Sequence, residues 1–445
     1  MILFVEGSKL SGRVHVPASK SHTIRAIAIG SLATGSSWIQ NPLVSADTLS
    51  AVETYRKLGA LISTGDEWVI EGTGGVPKIP SDVLDVGNSG TTLYTAIGAA
   101  ALIDGYTVFT GDEQIRERPA GPLLSALSGL GVDAFSTRGN GKPPIIVRGP
   151  MRGGHTVLDG SMTSQYLSSL LINAPLADNN TDIEVKKLVE KPYVDMTLAW
   201  MSEHGVWYEQ DGYDRFHLLG GQKYEPFETT IPGDFSSATF FLCAAAITGS
   251  DLTLLNLDMN DTQGDRAVVE MLAAMGAKIE QLPEGIRIIG GELKGGDFDL
   301  SGTPDALPAM AVTACFAEGK TRLYNVAQAR LKETDRICAM RQELSAMGAE
   351  IEEMLDGLII EGRPLHAARV RGHGDHRIVM ALAVAGLACK GLTEIDTAEA
   401  MNITFPNFVE LMQDSGASMT IDVAARSHQN AARPASRQLT LPSPE

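Results

Sequence analysis

A phrase that recurs six times along the chain constrains its fold more than any other feature. Each copy is the end of an amphipathic helix, then a glycine, then a strand, as in "YRKLGALIS", "LAAMGAKIE" and "LSAMGAEIE". A glycine just past a helix end typically supplies the left-handed residue that terminates the helix. The six glycines are Gly59, Gly131, Gly205, Gly276, Gly348 and Gly416, at spacings of 72, 74, 71, 72 and 68 residues.

The period of this repeat indicates what each unit contains. A spacing near 72 residues is too long for a solenoid repeat of about 20–50 residues, and it suits several strands with two helices. Five copies continue into a second strand that ends in glycine, as in "WVIEG" and "LIIEG". The fifth copy spaces Ile337, Met340, Leu344 and Met347 as one helix face. Six units in 445 residues predict two domains of three units, with a linker near residues 232–233.

The negative charge of the chain limits its classes of partner. The sequence has 36 Lys and Arg against 54 Asp and Glu, a formal net charge of −18. Such a surface repels nucleic acid and anionic membranes, so we expect neither as a partner. The sequence shows no signal peptide and no apolar run long enough to span a bilayer, which predicts a cytoplasmic protein.

The cysteines show no pattern of a metal site. They are far apart and have no CxxC or Cys/His ligand spacing. We expect four reduced core residues: Cys243, Cys315, Cys338 and Cys389.

The stretch "RLKETDRICAM" concentrates charge just before an apolar helix. Lys332 and Arg336 are four residues apart, which predicts a shared face in the first helical turn, with Thr334 as a possible cap. Cations there oppose the helix dipole by about 0.3–1 kcal/mol each, yet the free N–H groups favour an anion. The segment is therefore either a solvated helix start or one wall of an anion site.

Five other stretches place polar residues at predicted helix starts in the same way. They supply Lys20, Ser21 and Arg25; Gly90; Arg116 and Arg118 before Pro119; Thr163, Ser164 and Gln165; and Asp375, His376 and Arg377. Helix starts in a repeat protein point the same way, so these residues could converge on one cleft between the domains. Asp305 and Glu333 would add carboxylates to that cleft.

The sequence lacks the motifs of cofactor-dependent and metal-dependent enzymes. It has no phosphate-binding Walker loop, no GxGxxG, no GxSxG and no metal-ligand cluster. The residues therefore predict acid–base transfer between small anionic molecules, with no cofactor and no metal.

Nine motifs occur in the order of one known family. They are "ASKSHTIRA", "GNSGTT", "RERPAGPLL", "TSQYLSSLL", "EKPYVDMTL", "GDFSSATFFL", "LKETDRICAM", "GDHRIVMAL" and "TFPNF". Over residues 1 to about 423 the chain resembles the 5-enolpyruvylshikimate-3-phosphate synthases, which are enolpyruvyl transferases. The resemblance implies an α/β (α+β) two-domain fold, each domain made of three βαβαββ units, with the active site in the interdomain cleft.

The same resemblance implies domain boundaries and an oligomeric state. The first domain would span residues 19–231, and the second would combine residues 1–18 with residues 232–423. The crossovers near residues 18 and 232 would be hinges for domain closure, and residues 424–445 would form a flexible tail. Family members are usually monomers, so we expect a monomer.

The implied reaction joins phosphoenolpyruvate to the 5-hydroxyl of shikimate 3-phosphate and releases phosphate. It proceeds by addition and elimination through a tetrahedral intermediate, in the shikimate pathway to chorismate and the aromatic amino acids. Glyphosate competes at the phosphoenolpyruvate site of this family, so inhibition is also implied. The only implied partners are these two anionic substrates.

The motifs carry the family's site residues over to this chain. The resemblance assigns catalytic roles to Lys20, Asp305, Lys332, Glu333 and His376. It assigns phosphoenolpyruvate binding to Lys20, Gly90, Arg118, Gln165, Arg336 and Arg377. It assigns shikimate 3-phosphate binding to Ser21, Arg25, Thr163, Ser164, Gln165, Tyr193, Asp305, Gln328 and Lys332.

Four positions depart from the family pattern. Tyr94 stands where Arg is usual, Ile403 where Lys is common, and Gln328 where Asn is frequent. Glu190 stands where Ser or Arg often meets the shikimate phosphate. A carboxylate about 4 Å from a phosphate is repelled by roughly 1–4 kcal/mol at effective dielectric constants of 80 to 20.

Three consequences of Glu190 stay open at this point. Glu190 turns away, or Lys187 or Lys191 neutralises it, or the acceptor carries no phosphate. The last case predicts a paralogous enolpyruvyl transferase with another acceptor alcohol. A non-enzymatic anion-binding module is a second alternative. The sister family that uses UDP-N-acetylglucosamine carries a reactive Cys in the loop "GDEQIRERP", which here has none.

Overall fold

The computed structural model describes residues 1–422. The predicted tail, residues 424–445, lies outside the described residues. Within this part of the chain, no helix combines the length and the apolar character needed to cross a membrane.

The first half of the chain supplies six helices, all twelve strands of three sheets, and one strand to each of two further sheets. Its elements are β1 Ile2–Glu6, β2 Ser11–His15, α1 Lys20–Leu32, β3 Ser36–Gln40, α2 Ala46–Lys57, β4 Leu61–Ser63, β5 Glu67–Glu71, β6 Leu84–Asp85, α3 Gly90–Ala100, β7 Tyr106–Thr110, α4 Gly121–Gly129, β8 Asp133–Ser136, β9 Ile145–Arg148, β10 Gly154–Asp159, α5 Gln165–Asn173, β11 Thr181–Lys186, α6 Lys191–Glu203, β12 Tyr208–Asp211, β13 Arg215–Leu218 and β14 Glu228–Thr230.

The second half repeats this pattern. Its elements are α7 Phe235–Thr248, β15 Asp251–Leu255, α8 Ala267–Met275, β16 Lys278–Leu282, β17 Gly285–Ile289, β18 Asp297–Asp299, α9 Leu307–Cys315, β19 Lys320–Tyr324, α10 Arg336–Ala346, β20 Glu350–Met354, β21 Gly357–Glu361, β22 Arg369–Val370, α11 His376–Leu387, β23 Leu392–Ile395, α12 Phe408–Asp414 and β24 Ser418–Asp422.

Six four-stranded sheets follow one plan. The strand orders are β14-β3-β5-β4, β6-β7-β9-β8, β10-β11-β13-β12, β2-β15-β17-β16, β18-β19-β21-β20 and β22-β23-β1-β24. In each sheet the first two strands are parallel and the other pairings are antiparallel. A parallel pair needs a crossover, and one helix supplies it in the units β6-α3-β7, β10-α5-β11, β18-α9-β19 and β22-α11-β23. The predicted fold class and the six-fold repeat are confirmed.

The N-terminal strands explain why only five copies have a second strand downstream. Strand β1 takes that place in the sixth sheet, antiparallel to β23 and β24, with Leu3 opposite Ile395 and Val5 opposite Met419. Strand β2 lies parallel to β15 in the fourth sheet, and β14 lies parallel to β3 in the first. Strands β1 and β2 therefore tie the N-terminal segment to sheets of the second half, and β14 ties the end of the first half to its own first sheet.

The repeat glycines have the backbone conformation that the sequence predicts. Their φ angles are +103°, +85°, +86°, +113°, +94° and +106° in chain order. A side chain at such a φ is strained, so glycine ends the helix and lets the chain turn into the next strand.

The buried apolar residues form two clusters. One contains residues between 18 and 231, and the other combines residues 3–16 with residues 235–419. At the centre of the second cluster, α7, α9 and α11 contact one another, and in the first α3 contacts both α1 and α5. Most residues of these helices are buried, as expected for helices surrounded by others. The division supports the domain boundaries predicted from the sequence, which we retain as a proposal.

The predictions for the start of α10, the start of α4 and the burial of Cys338 are wrong. Helix α10 begins at Arg336, so Lys332 lies outside it, and Asp335 caps it by accepting the Cys338 N–H at 3.0 Å. The free N–H groups favour this carboxylate over the predicted Thr334.

The second helix of the second unit also begins later than predicted. Helix α4 starts at Gly121, so Pro122 stands in its first turn and Pro119 precedes it.

Three cysteines are buried, but Cys338 is only half-buried because it lies in the first turn of α10. All four are free thiols.

Candidate active site

A narrow cavity lies where the two halves meet, at the starts of their inner helices. The first half lines it with Lys20, Ser21, Arg25, Thr91, Gln165, Glu190 and Tyr193. The second half lines it with Asp234, Ser236, Ser237, Phe240, Asp305, Lys332, Arg377, Met380 and Thr404. The predicted convergence of helix starts from both halves is therefore present in the structure.

Arg336 is the centre of an ion network beside this cavity. Its guanidinium donates to Asp305 at 2.8 Å, to Glu333 at 2.5 Å and to Asp375 at 2.8 Å. The side chain is 1% exposed. A buried guanidinium needs such partners, since an unpaired buried charge is strongly destabilising. Three carboxylates thus fix the position of one cation.

The same network joins the two halves of the molecule. Arg118, from the first half, donates to Glu333 at 2.6 Å and to the Leu331 carbonyl at 3.0 Å. Arg377 lies 3.0 Å from the second oxygen of Asp305. Arg118, Arg336 and Arg377 are therefore linked through shared carboxylates, although they are far apart in the sequence.

Lys20 and Arg25 enter the cavity from α1, where Ser19 caps the helix. The Lys20 ammonium pairs with Asp47 at 3.2 Å. Arg25 donates to Thr197 at 3.0 Å, to the Ser21 carbonyl at 3.1 Å and to the Tyr193 carbonyl at 2.9 Å. Burial lowers the pKa of Arg25 to about 10, which still leaves it cationic at neutral pH.

Glu190 faces the site and does not turn away from it. Its carboxylate pairs with Lys332 at 2.6 Å and accepts from the Thr163 hydroxyl at 3.1 Å. It also accepts from the N–H of Ser164 at 3.2 Å and the hydroxyl of Ser164 at 3.1 Å. Of the three alternatives left open by the sequence, the one in which Glu190 turns away is therefore wrong.

The two lysines next to Glu190 in the sequence do not neutralise it. Lys187 is exposed, and the Lys191 ammonium lies over the Tyr213 ring, 4.8 Å from its centroid. Lys332 from the other half takes this place. The pairing could not be inferred from sequence neighbours, because it depends on how the two halves meet.

The two candidate proton-transfer carboxyls have depressed pKa values. Burial by itself raises the pKa of Asp305, but Arg377, Lys332, Arg336 and Lys20 together bring it well below its usual range. Burial likewise opposes ionisation of Glu333, and Arg118 and Arg336 outweigh it, so its pKa is also well below normal. Both groups are carboxylates at neutral pH in this arrangement.

His376 is a neutral imidazole in the first turn of α11. Burial lowers its pKa well below the usual value, and Arg377, Arg336 and Lys20 lower it further against the opposing Glu333. Neither ring nitrogen has a hydrogen-bond partner among the described residues. A buried polar group of this kind can serve a ligand atom.

Two predicted residues lie beside the main cavity. Gln328 lines a smaller adjoining cavity, together with Tyr94, Arg118, Thr163, Gln165 and Lys332. Gly90 is the first residue of α3, and a side chain there would point toward the Gln165 amide, whose oxygen would lie 3.9 Å from its Cβ. The site residues assigned from the motifs thus lie in or next to one region between the halves.

The other two departures from the family pattern are Tyr94 and Ile403. The Tyr94 hydroxyl donates to the Pro119 carbonyl at 2.8 Å, so this buried side chain helps to place the segment after Arg118. Burial raises the pKa of Tyr94 to about 12, so it is neutral. Ile403 ends a 3-10 turn, Ala398–Ile403, and is half-buried.

Sequence reasoning missed several carboxyls that hold the cations in place. Asp47 pairs with Lys20, but "SADT" has the pattern of an ordinary helix start, and Ser45 does cap α2. Asp375 was noted only as part of a helix start, although it binds Arg336. No short-range signal joins these acids to their cations, because Asp47 and Lys20 lie on different helices of one unit, and Asp375 and Arg336 lie in different units.

Asp265 was also missed. It is buried, accepts from Ser236 on the cavity wall, and has one oxygen without a hydrogen-bond partner among the described residues. Burial, and then the charge of Asp305, raise the pKa of Asp265 to about 7. No group of three potential metal ligands occurs in residues 1–422.

Comparison with known proteins identifies relatives over almost the whole chain. A family model described as EPSP synthase (3-phosphoshikimate 1-carboxyvinyltransferase) matches residues 5–412. A 3-phosphoshikimate 1-carboxyvinyltransferase of Acetivibrio thermocellus is 55% identical over 94% of this chain and 99% of that protein. The enzyme of that name from Methanocella arvoryzae is 47% identical over 95% of this chain and 100% of that protein.

A solved structure agrees with these sequence relatives. EPSP synthase from Acinetobacter baumannii superposes with a TM-score of 0.80 at 29% identity, covering 94% of this chain and 99% of that one. The enolpyruvyl transferase NikO from Streptomyces tendae has a TM-score of 0.76 at 17% identity, over 94% of this chain and 98% of that one, which supports the fold alone. The chain belongs to the EPSP synthase family.

Proposed function

We propose that this protein transfers the enolpyruvyl group of phosphoenolpyruvate to the 5-hydroxyl of shikimate 3-phosphate and releases phosphate. One observation carries the proposal beyond family membership. Lys20 and Arg377 line the cavity between the halves, Arg118 and Arg336 lie beside it, and shared carboxylates link the three arginines. A dianionic donor needs such a set of cations, and acid–base chemistry needs the carboxylates.

The donor would bind among the arginines. Arg118 and Arg336 are both paired with Glu333, and Arg377 with Asp305. Phosphoenolpyruvate would compete for these guanidiniums, with Lys20, Gln165 and the backbone at Gly90 as further contacts. Because Arg118 and Arg336 hold down the pKa of Glu333, their neutralisation by the donor would raise it and prepare Glu333 to carry a proton.

The acceptor would bind along α1, α5 and α6. Ser21 and Arg25 would hold the ring and its carboxylate, while Tyr193 and Gln328 would complete the pocket. The donors that now hold Glu190, namely Thr163, Ser164 and Lys332, would take the phosphate.

The proton transfers follow from the states of the carboxyls. Asp305, ionised, would accept the proton of the 5-hydroxyl as its oxygen adds to C2 of phosphoenolpyruvate, and C3 would gain a proton from Glu333. In the second step the Glu333 carboxylate would take a proton from C3, the bond from C2 to the phosphate oxygen would break, and the leaving phosphate would take the proton held by Asp305. Neutral His376 and cationic Lys332 would assist by hydrogen bonding, and closure of the cleft would exclude water.

The resemblance also implies a monomeric cytoplasmic enzyme with hinges near residues 18 and 232, inhibited by glyphosate, and we include these features in the proposal. Another acceptor alcohol is not favoured, because relatives at 43–55% identity are named 3-phosphoshikimate 1-carboxyvinyltransferase. The sequences of those relatives cover nearly the whole chain, including the segments that line the cavity.

Phosphate release tests the proposal directly. Protein, phosphoenolpyruvate and shikimate 3-phosphate are mixed, and phosphate and the enolpyruvyl product are measured. Asp305→Asn should lower kcat by roughly 10²–10⁴-fold, the range for loss of a general base. Asp297→Asn, an exposed change in the preceding strand, should have no effect. Phosphate release with another alcohol but none with shikimate 3-phosphate would establish the alternative acceptor.

A further inference from the structure

Glu190 is held in an unusual backbone conformation with its side chain inside the protein. Its φ and ψ are 56° and 43°, in the left-handed region, and it directly precedes α6. Its side chain is 1% exposed. Left-handed residues other than glycine are uncommon and persist only where the surroundings determine them. The chain therefore directs this carboxyl group into the site, where it has almost no contact with solvent.

The Glu190 carboxylate already has a complete set of anion-binding partners. One oxygen accepts from Lys332, and the other accepts from the Thr163 hydroxyl and from both the N–H and the hydroxyl of Ser164. Lys332 is the only cation within ion-pair distance of Glu190 in residues 1–422. The pocket is thus built for an anion, and the chain itself supplies one as the Glu190 carboxylate.

Other ionisable groups face Glu190 from the surrounding elements. Tyr193 on α6, Tyr94 on α3 and Tyr166 on α5 are all neutral, because burial raises the pKa of each. Asp305 lies on the far side of Lys332, 4.0 Å from its ammonium. The other cations of the two cavities have partners elsewhere: Lys20 pairs with Asp47, Arg377 with Asp305 and Arg118 with Glu333, and Arg25 donates to Thr197 and two backbone carbonyls. Lys332 is thus the cation that compensates the charge of Glu190.

The phosphate of the acceptor would have to enter this pocket. Its proposed donors are the same Thr163, Ser164 and Lys332 that hold Glu190. A phosphate monoester carries close to two negative charges at neutral pH. Two anions that share one enclosed site bind a proton between them, because both cannot stay charged at short range.

We propose that Glu190 couples binding of the phosphorylated acceptor to uptake of one proton. In the complex, the proton lies between the Glu190 carboxyl and the phosphate, so that the carboxyl becomes a hydrogen-bond donor and Lys332 turns to the phosphate. The proton comes from solvent, and no covalent bond changes. This inference rests on the proposed function and makes Glu190 a residue that determines acceptor affinity.

The coupling predicts a pH dependence confined to the phosphorylated acceptor. When binding takes up one proton, affinity falls up to about tenfold for each unit of rising pH. Shikimate, which lacks the phosphate, should not show this component. Any proton uptake on phosphoenolpyruvate binding would belong to Glu333 and should be the same in wild type and in Glu190→Gln, because the proposed contacts of the donor lie at the arginines.

Calorimetry measures the coupling. Shikimate 3-phosphate is titrated into the full-length protein at pH 7.5 in two phosphate-free buffers of different ionisation enthalpy, which gives the number of protons bound. Wild type should take up about 0.5–1 proton, and Glu190→Gln should take up less by about that amount. Glu190→Gln should also bind shikimate 3-phosphate roughly tenfold more tightly, without tighter binding of shikimate.

Two further variants keep the test decisive. Glu190→Ser removes the carboxyl with a smaller side chain, and serves if the Gln variant does not fold. Glu203→Gln makes the same chemical change at the exposed end of α6 and should behave as wild type. Equal proton uptake by wild type and both Glu190 variants would overturn the inference, whatever their affinities.

The failure of this inference differs from failure of the proposed function. Turnover of shikimate 3-phosphate with no Glu190-dependent proton uptake would reject only the coupling. Absence of both binding and phosphate release with this acceptor, in wild type and in the variants, would reject the proposed function itself.

Discussion

The two halves of the molecule use the same repeat but place different chemistry at their helix starts. In the first half, hydroxyls cap the inner helices α1 and α3, from Ser19 and Ser89. In the second half, carboxylates cap α7, α10 and α11, from Asp234, Asp335 and Asp375. One architecture therefore presents neutral donors on one side of the cleft and acids on the other.

The difference extends to the cations. The second half buries Arg336 and Arg377 among Asp305, Glu333 and Asp375, so its charges compensate one another. The first half offers hydroxyls and N–H groups at the starts of α1, α3 and α5, and the acid that it buries at the start of α6, Glu190, takes its cation from across the cleft. Charge balance in this site is achieved between the halves as well as within them.

The largest expected effect comes from removing a cation from the charge network of the second half. Arg336→Met should destabilise the protein by about 3–5 kcal/mol, because the buried Asp375 and the half-buried Asp305 and Glu333 lose their shared cation. Urea unfolding measures this. Arg287→Met is the matched control, since Arg287 also pairs with two carboxylates, Asp251 and Glu280, but at the surface. Equal shifts of the two urea midpoints would contradict the buried network.

A smaller effect depends on pH. Asp265 has a pKa of about 7 when folded, against a usual value of 3.8. Between these values the folded protein holds a proton that the unfolded chain has lost, so this group makes stability fall as pH rises from about 4 to 7. The slope is at most about 1.4 kcal/mol per pH unit, and the decline ends above pH 7.

Asp265→Asn should remove this contribution. Free energies of unfolding at pH 5, 6, 7 and 8 should then decline less steeply in the variant than in wild type. Parallel pH profiles for the two proteins would show that the buried acid of the second half keeps an ordinary pKa.

The smallest effect concerns a cap in the first half. The Ser89 hydroxyl accepts the Thr92 N–H at the start of α3, so Ser89→Ala should cost about 1 kcal/mol in unfolding free energy. Thr334→Ala should cost much less, because Asp335 and not Thr334 caps α10. A larger loss of unfolding free energy for Thr334→Ala than for Ser89→Ala would show that Thr334 caps α10, as the sequence predicted.

Much of the fold could be predicted because local sequence patterns determine it. The six glycines end helices for a reason that acts within a few residues, and the buried positions of α10 follow from helical spacing. The region that the site residues share could also be anticipated, since each motif stands at a helix start. The exact start of α10 and the cap at Asp335 were missed, because several polar residues compete there over one turn.

The sequence by itself determined the repeat, the paired helices and the residue types that bind anions, since these depend on short-range spacing and composition. Only the tertiary structure decided which charges meet: Lys332 with Glu190, Lys20 with Asp47, and Arg336 with Asp375. Ion pairing acts through space at a few ångströms, and the partners lie up to 142 positions apart in the chain. Their pairing therefore exists only once the units have packed and the halves have met.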